Sequence, residues 1–221
     1  MTVDTAYKIV QFCVNKNQNG YISPDEFNLV INQAQTQFLD YLLGEFQSYQ
    51  VGRPIARVQY GNNETTRQRL TPFILPFTLT VNGSGVANYP ANYQQTDTMF
   101  TSTYGRIKFV PQDYLASYLS SRIDPVATNP IYLLNMYGFK FYPNNIGTAI
   151  LNYIQTPNQI VWGFTLDGNG LPVYNSATSQ DPKWYDVDMM EIIARALRII
   201  GVNLQSNVVS QYANEIKIQG Q

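Results

Sequence analysis

The sequence predicts an α+β fold in which helices from both ends of the chain form a bundle around an inserted antiparallel β section. Apolar residues recur at helical spacing near the two ends, whereas the middle alternates or runs apolar between clusters of turn residues. The chain has 221 residues and no internal repeat, which suits one sizeable core. We therefore expect a single domain over 1–221, helical over 1–50 and 181–221 and mostly β over 51–180.

Two helices are predicted near the N-terminus. Residues 4–14 carry apolar side chains on one face and include Cys13, which we expect to be buried there. The segment Ser23-Pro24-Asp25-Glu26 combines a cap residue, a proline at the first helical position and a glutamate at the third, which is the pattern of a capping box. From Phe27 onward, apolar residues follow i, i+3, i+4, i+7 spacing and predict a helix to about Gln47.

The middle of the chain is predicted to be β structure. Residues 53–60 and 70–81 alternate or run apolar, although their prolines restrict them to edge strands or irregular chain. Residues 82–100 are expected to form a long hairpin tip or loop, and residues 113–122 a short helix. The further strands expected are 104–110, 131–136, 139–142, 149–155, 161–166 and 171–174.

The C-terminal part is predicted to return to helix, from about 184 to 200 with Gly201 as its C-cap, and again over 206–218. Between 187 and 200 the polar residues form one narrow stripe, so nearly the whole helix surface requires cover. Two interpretations account for this pattern: a central core helix of a monomer, or a helix covered partly by another subunit. Under the second, the candidate interface residues are Met189, Ile193 and Leu197.

The composition excludes several kinds of chemistry. The chain has no histidine and one cysteine, so it has no Ser-His-Asp or Cys-His pair, no histidine metal ligand and no internal disulfide. We therefore expect no enzymatic activity and no cofactor. No secretory signal and no run of apolar residues long enough for a membrane span is visible, so we expect no membrane partner and synthesis in a reducing compartment.

The surface is expected to be polar without being strongly charged. Charged residues make up 13% of the chain, and amides, hydroxyls and 17 tyrosines replace the missing charge. Such a surface can hydrogen-bond a neighbouring subunit without burying charge, although a proteome rich in Asn, Gln and Tyr explains the composition equally well.

Four arginines form the one basic section of a chain whose net charge is −1. Arg53, Arg57, Arg67 and Arg69 are expected to flank a hairpin, either as a solvated surface or rim contact, or in contact with phosphates or an acidic partner.

Residues 15–26 imitate the loop of a calcium-binding EF-hand. Asn15, Asn17 and Asn19 occupy the three leading ligand positions, and Glu26 occupies the twelfth. Because calcium affinity rises with the number of carboxylates, this loop is at most a weak metal candidate. The capping box explains Glu26 without a metal, and we expect no metal site.

A cluster of acids near the last helix suggests a different activity, metal-assisted hydrolysis or glycoside hydrolysis. Its members are Asp181, Asp186, Asp188 and Glu191. Most of them lie at a predicted helix N-terminus, where acids favour the helix dipole, so a structural role explains them as well.

Several stretches carry a resemblance to a known family. They are NQNGYISPDEFNLVINQAQTQFLDYLLG (17–44), FVPQDY (109–114), FYP (141–143), LNYIQTP (151–157) and the closing DPKWYDVDMMEIIARALRIIGVNLQSNVVSQYANEIK (181–217). Together they resemble the head-to-tail connector, or adaptor (neck ring), proteins of crAss-like tailed phages. The resemblance covers most of the chain, in short motifs of which none is catalytic.

The resemblance implies a structural virion protein that assembles in the host cytoplasm. It implies a ring of about twelve copies of the chain, which docks under the portal protein and links it to other neck or tail proteins. In such a ring the section from Arg53 to Arg69 would contact an acidic partner face, which we prefer, or packaged DNA. The alternative is a tail-associated carbohydrate- or receptor-binding module, because tyrosine-rich surfaces also bind sugars.

Overall fold

The computed structural model describes residues 1–16, 21–47, 57–103, 105–120 and 125–201, with the backbone alone for residues 16, 45–47 and 57–63. The chain divides into two compact units. The helical unit comprises Met1–Arg69 and Asn158–Gln221, and the sandwich unit comprises Leu70–Pro157. The expected class, a mixture of helices and antiparallel sheets, is confirmed.

The regular elements are named in chain order. The helices are α1 (Val3–Lys16), α2 (Pro24–Gln47), α3 (Arg57–Leu70), α4 (Leu115–Leu119) and α5 (Asp186–Ile200). The strands are β1 (Ile74–Thr80), β2 (Val86–Asn88), β3 (Tyr93–Thr101), β4 (Gly105–Arg106), β5 (Lys108–Phe109), β6 (Ile131–Asn135), β7 (Gly138–Tyr142), β8 (Thr148–Gln155), β9 (Phe164–Leu166) and β10 (Pro172–Tyr174).

Local signals set the ends of the principal helices. At the start of α2, the Glu26 carboxylate accepts from Ser23 N at 2.9 Å, and Glu26 N donates to Ser23 Oγ at 3.3 Å, so the capping box is confirmed. α5 ends at Gly201, whose φ of +77° is the left-handed conformation that glycine adopts at a C-cap. The predicted helix over 206–218 lies outside the described residues.

In the helical unit, α5 packs against both α1 and α2. The edge of Trp184, which precedes α5, meets the Phe38 ring of α2 at a centroid distance of 5.1 Å. The three helices bury one apolar face each; their buried residues include Tyr7, Val10, Phe27, Ile31, Phe38, Leu42, Met189, Ile192 and Ile193. Cys13 is half-buried, so the expectation of full burial was wrong.

Side-chain amides of α2 bind the irregular segment 158–162. Asn32 donates through Nδ2 to Ile160 O and accepts at Oδ1 from Ile160 N, both at 2.8 Å. Asn28 repeats the arrangement on Trp162, accepting from its N at 2.7 Å and donating to its O at 3.3 Å. These side chains therefore take the place that a neighbouring strand has in a sheet.

Gln35 completes this amide ladder, which we define as Asn28, Asn32 and Gln35. Its Nε2 donates to Asn158 O at 3.0 Å, and its Oε1 accepts from Trp184 Nε1 at 2.9 Å. Four residues of a helix rise about 6 Å, and two residues of an extended chain rise about 6.7 Å. Side chains four residues apart on α2 can therefore reach every second residue of the segment 158–162. The ladder satisfies buried backbone groups of a segment that lacks regular structure.

The sandwich unit consists of two four-stranded sheets, in the orders β1-β8-β3-β4 and β2-β7-β6-β5. Their pairs are antiparallel except for β5 with β6, which is parallel. Both sheets contribute to one apolar core, in which the fully buried rings of Phe139 and Phe141 come from β7. The core residues from the opposite sheet are Leu79, Met99, Ala149, Leu151 and Tyr153.

Three parts of the β section differ from expectation. Residues 57–70 form α3, which Arg69 links to Asp188 of α5, so the extended conformation expected over 57–60 was wrong. Residues 53–56 of that expected segment lie outside the described residues. The expected loop over 82–100 contains β2 and most of β3, which pairs with β8. The Gln and Thr side chains of β3 made its sequence resemble a polar loop. The single strand expected over 104–110 is divided between two sheets, because the chain passes from one to the other at the buried Ile107.

The remaining predictions were closer. The helix expected over 113–122 is a 3-10 turn (Gln112–Tyr114) followed by α4, and its last two residues lie outside the described ranges. The strands expected over 131–136, 139–142, 149–155 and 171–174 are confirmed within two residues as β6, β7, β8 and β10. The strand expected over 161–166 is reduced to β9, because the amide ladder holds its first part.

Candidate functional site

The three predicted interface residues of α5 lie in the core of the helical unit. The exposed fractions of Met189, Ile193 and Leu197 are 0%, 2% and 6%, so none of them is displayed on the surface of the chain. The exposed apolar residues of α5 are instead Val187, 80% exposed, Met190, 50% exposed, and Ala194. We call these three the α5 stripe, since they lie on one face of the helix at spacings of three and four residues.

The part of the basic section that the structure describes, 57–69, belongs to helix α3 and is not a hairpin. Arg53 lies outside the described residues, and Arg57, whose side chain is not described, opens α3. Arg67 and Arg69 lie in the last turn of that helix. Arg69 donates to Asp188 at 2.6 Å and to Glu191 at 3.0 Å, so its guanidinium is bound within the unit rather than offered to a partner or to DNA.

The acidic cluster is divided among structural contacts. Asp181 accepts from Val3 N at 2.8 Å at the start of α1, and Asp186 pairs with the N-terminal ammonium. Asp188 is buried against Arg69, while Glu191 bridges Arg69 and Arg195, the latter at 2.9 Å. The four carboxylates therefore do not converge on a common point where a substrate or metal would sit.

The ion pairs determine how these groups titrate. Burial by itself would raise the pKa of Glu191, but hydrogen bonds from Arg195 and Arg69 outweigh it and hold this pKa below its usual value. Burial opposes the charge of Arg69 as well, and the two carboxylates overcome it and raise the pKa of the guanidinium. Both arginines also lie over the Phe38 ring, at 5.1 and 5.4 Å from its centroid.

In the calcium-like loop, Glu26, the one acid at a ligand position, has a capping role. Glu26 is engaged with Ser23, and these hydrogen bonds lower the pKa of its carboxyl. Asn15 is exposed at the end of α1, and Asn17 and Asn19 lie outside the described residues. Within the described part of the chain, no three acids, histidines or cysteines gather as a metal site would require.

A cleft of about 480 Å³ lies in the helical unit and was not predicted from the sequence. We call it the aromatic cleft, because Tyr7, Tyr21, Trp162 and Tyr174 line it. The ring centroid of Trp162 lies 4.3 Å from that of Tyr7 and 5.6 Å from that of Tyr174, so the three rings form a continuous aromatic wall. Tyr21, 59% exposed, and Leu171, 60% exposed, lie on the rim.

Three polar side chains of α1 also line the aromatic cleft. Asp4, Lys8 and Gln11 share one helix face, at spacings of four and three residues. Asp4 is held on both oxygens, by Lys8 Nζ at 2.6 Å and by Trp162 Nε1 at 3.2 Å. The hydrogen bond from Lys8 is the main reason why the pKa of Asp4 is lowered, and burial raises the pKa of Tyr7.

The hairpin connecting β6 and β7 displays three large apolar side chains. Leu134, Met136 and Tyr137 are 47%, 83% and 72% exposed, and we call them the hairpin tip. A local hydrogen bond lies at the start of the two-residue turn: Asn135 Oδ1 accepts from Met136 N at 2.7 Å. At Gly138, φ is +153° and a Cβ would lie 2.1 Å from Ala87 O, so only glycine fits there.

Neither protein-family models nor curated proteins match this sequence. Among the described residues, no helix has both the length and the apolarity needed to cross a bilayer. Three surfaces of the chain are therefore the functional candidates: the α5 stripe, the hairpin tip and the aromatic cleft. Two of these had a signal in the sequence. The α5 stripe belongs to the largely apolar segment 187–200, and the aromatic cleft has the excess of tyrosine and the i, i+4, i+7 spacing of Asp4, Lys8 and Gln11.

Proposed function

We propose that the chain is a non-enzymatic structural subunit of a tailed-phage virion, a ring-forming adaptor that links the portal to the tail. The observation that carries the proposal is the hairpin tip. Its exposed apolar side chains lie at a short, hydrogen-bonded turn between two paired strands, so docking requires little ordering of the backbone, which is the usual advantage of a preorganised contact. We assign this element to the contact with the portal or with the next ring.

The contact between copies is assigned to the α5 stripe. In this proposal α1, α2 and α5 form the bundle that packs side by side around the ring. Val187 and Met190 would enter the neighbouring bundle, because burial of such side chains supplies the association energy. They take the role that the sequence had assigned to the buried Met189, Ile193 and Leu197.

The state of the charged residues supports a structural role over hydrolysis. Asp188 is buried in an ion pair with Arg69, and Asp181 caps α1, so both are committed to holding the fold. The same pairing weakens the case for DNA contact through Arg69. An acidic partner face or DNA remains available as a partner for Arg53 and Arg57 in this proposal.

Mass measurements test the proposal directly. The purified chain, alone and mixed with the portal protein of the same phage, is examined by mass photometry and negative-stain microscopy. We expect ring complexes with the portal, abolished by Met136→Ser with Tyr137→Ser. We expect Val187→Ser with Met190→Ser to weaken contacts between copies.

A matched control distinguishes specific docking from general loss of surface hydrophobicity. Leu29 is 73% exposed and lies on the polar side of α2, so Leu29→Ser should leave assembly unchanged. Absence of binding to the portal and to every neighbouring virion protein would contradict the adaptor proposal. Equal effects of Leu29→Ser and the hairpin-tip variant would contradict the assigned docking element.

A further inference from the structure

We propose that the aromatic cleft binds a neutral sugar unit of a glycan. This inference is independent of ring assembly, because the aromatic cleft lies in the helical unit and shares no residue with the hairpin tip or the α5 stripe. It extends the carbohydrate-binding alternative from a general property of tyrosine-rich surfaces to one defined site.

The size and the wall of the aromatic cleft suit a sugar ring. A volume of about 480 Å³ is within the range of small-molecule sites and admits one or two hexose units. The electron-rich face of an aromatic ring attracts polarised C–H groups, which a pyranose presents on one side. Tyr174, half-buried, and Tyr21, on the rim, have ring surface that is still accessible to a ligand.

The polar groups match hydroxyls rather than an ion. Asp4 and Lys8 are paired at 2.6 Å and cancel in charge, and Gln11 is neutral, so an ionic ligand gains no net attraction. The pair offers a carboxylate acceptor beside an ammonium donor. Two adjacent hydroxyls of a sugar can donate to the first and accept from the second, because each hydroxyl has both capacities.

The site is preorganised. Asp4 is held by Lys8 and by Trp162 Nε1, so its carboxylate does not need to be ordered when a ligand binds. On the rim, the turn before Leu171 is held by Asp167 Oδ1, which accepts from Asn169 N at 2.9 Å and from Leu171 N at 2.8 Å. Both sides of the aromatic cleft are therefore built before the ligand arrives.

Ligand-observed saturation-transfer NMR on the wild-type chain tests this proposal. The probes are the neutral disaccharides maltose, cellobiose and N,N′-diacetylchitobiose, with the anionic 3′-sialyllactose and a decaproline peptide in separate arms. We expect transfer to at least one neutral disaccharide. Tyr174→Ala should weaken its binding about tenfold, because one buried aromatic contact is removed. Tyr21→Ala and Lys8→Gln should weaken it to a smaller extent.

Tyr137→Ala provides the matched control, since Tyr137 is an exposed tyrosine of the hairpin tip. Tyr137→Ala should leave sugar binding unchanged and reduce portal binding. Tyr174→Ala should reduce sugar binding and leave portal binding unchanged. The two variants therefore distinguish a failure of the sugar-binding proposal from a failure of the adaptor proposal. Circular dichroism melts verify that each variant is folded. No transfer to any neutral sugar, binding of decaproline alone, or sugar binding that survives both tyrosine substitutions would overturn the inference.

Discussion

In the helical unit, polar side chains stabilise segments that have little local preference for their structure. In the sandwich unit, a buried apolar core stabilises the strands. The amide ladder satisfies the backbone of residues 158–162, and Arg69 fastens α3 to Asp188 of α5. In the sandwich unit, Phe139 lies edge-on to Tyr89, Tyr93 and Tyr132, with centroids 4.7 to 5.9 Å apart. The first kind of contact depends on charge and geometry, the second mainly on buried area.

This difference changes how each unit should respond to substitution. A buried amide or charge leaves an unsatisfied partner when it is removed, so the loss includes the desolvation of the group left behind. A core ring leaves a cavity, and the loss follows the volume that the neighbours do not fill. Both tryptophans, Trp162 and Trp184, lie in the helical unit, so tryptophan fluorescence reports that unit alone.

The largest effect is expected in the sandwich core. Phe139→Ala should lower the free energy of unfolding of the sandwich unit by about 4 kcal/mol, because a fully buried ring is replaced by a cavity. Hydrogen exchange of the β7 and β8 amides measures this loss. Phe77→Ala is the control, since Phe77 is 43% exposed and should lose less than about 1.5 kcal/mol. A parallel shift in tryptophan fluorescence would show that the two units unfold together.

The ion pair of the helical unit should rank second. Arg69→Met leaves the buried Asp188 carboxylate without its partner, and we expect a loss of about 3 kcal/mol, at the low end because the Arg69 side chain is 29% exposed. Urea denaturation followed by tryptophan fluorescence measures it. Asp188→Leu in the same chain should restore most of the loss, and Arg198→Met, at an exposed position of α5, should change little. No rescue by Asp188→Leu would mean that Arg69 acts through packing.

The amide ladder should follow. Asn32→Ala removes both partners of the Ile160 backbone, and Ile160 is 0% exposed, so we expect a loss of about 2 kcal/mol. Tryptophan fluorescence should also shift, because the segment that carries Trp162 is released. Gln33→Ala on the exposed side of α2 is the control and should be nearly neutral. Equal stability of the two variants would refute a supporting role for the ladder.

The smallest effect concerns acid. The fold lowers the pKa of Glu191 and of Asp4, so their contribution to stability is complete above the unfolded-state values of 4.5 and 3.8 and is lost as the pH falls through the lower folded values. We expect Glu191 to account for less than about 1 kcal/mol, because it is partly solvated. Fluorescence-monitored denaturation at pH 6 down to about 3 should show a shallower pH dependence in Glu191→Gln than in the wild type. If the stability of Glu191→Gln and of the wild type had the same pH dependence, groups other than Glu191 would cause the acid sensitivity.

Local rules account for the parts of the fold that were predicted well. The capping box of Ser23 and Glu26 sets the start of α2, and Gly201 sets the end of α5, because these signals act within one helical turn. Local rules did not predict α3 and β3. Gly, Asn and Thr make α3 a poor helix on propensity, and Gln and Thr make β3 resemble a loop, so partners far along the chain decide both elements.

For the candidate sites as well, the sequence predicted some features and only the structure revealed the others. The composition shows an excess of tyrosine and no histidine, and it predicted a surface that makes hydrogen bonds and aromatic contacts. They did not indicate that Trp162 would meet Tyr7, since 155 positions separate them and the segment between includes the whole sandwich unit. The hairpin tip was also hidden, because a strand pattern does not reveal which side chains are left uncovered.

By itself, the sequence determined the mixed fold class, the main helices, most of the β strands and the absence of histidine-based chemistry, because each depends on residue type and short spacing. The tertiary structure decided which apolar residues of α5 are buried and which are displayed, where Arg69 is bound, and that an aromatic cleft exists. The physical reason is that helical periodicity specifies a face but not the partner that covers it. Burial and long-range pairing arise only when distant segments are brought together.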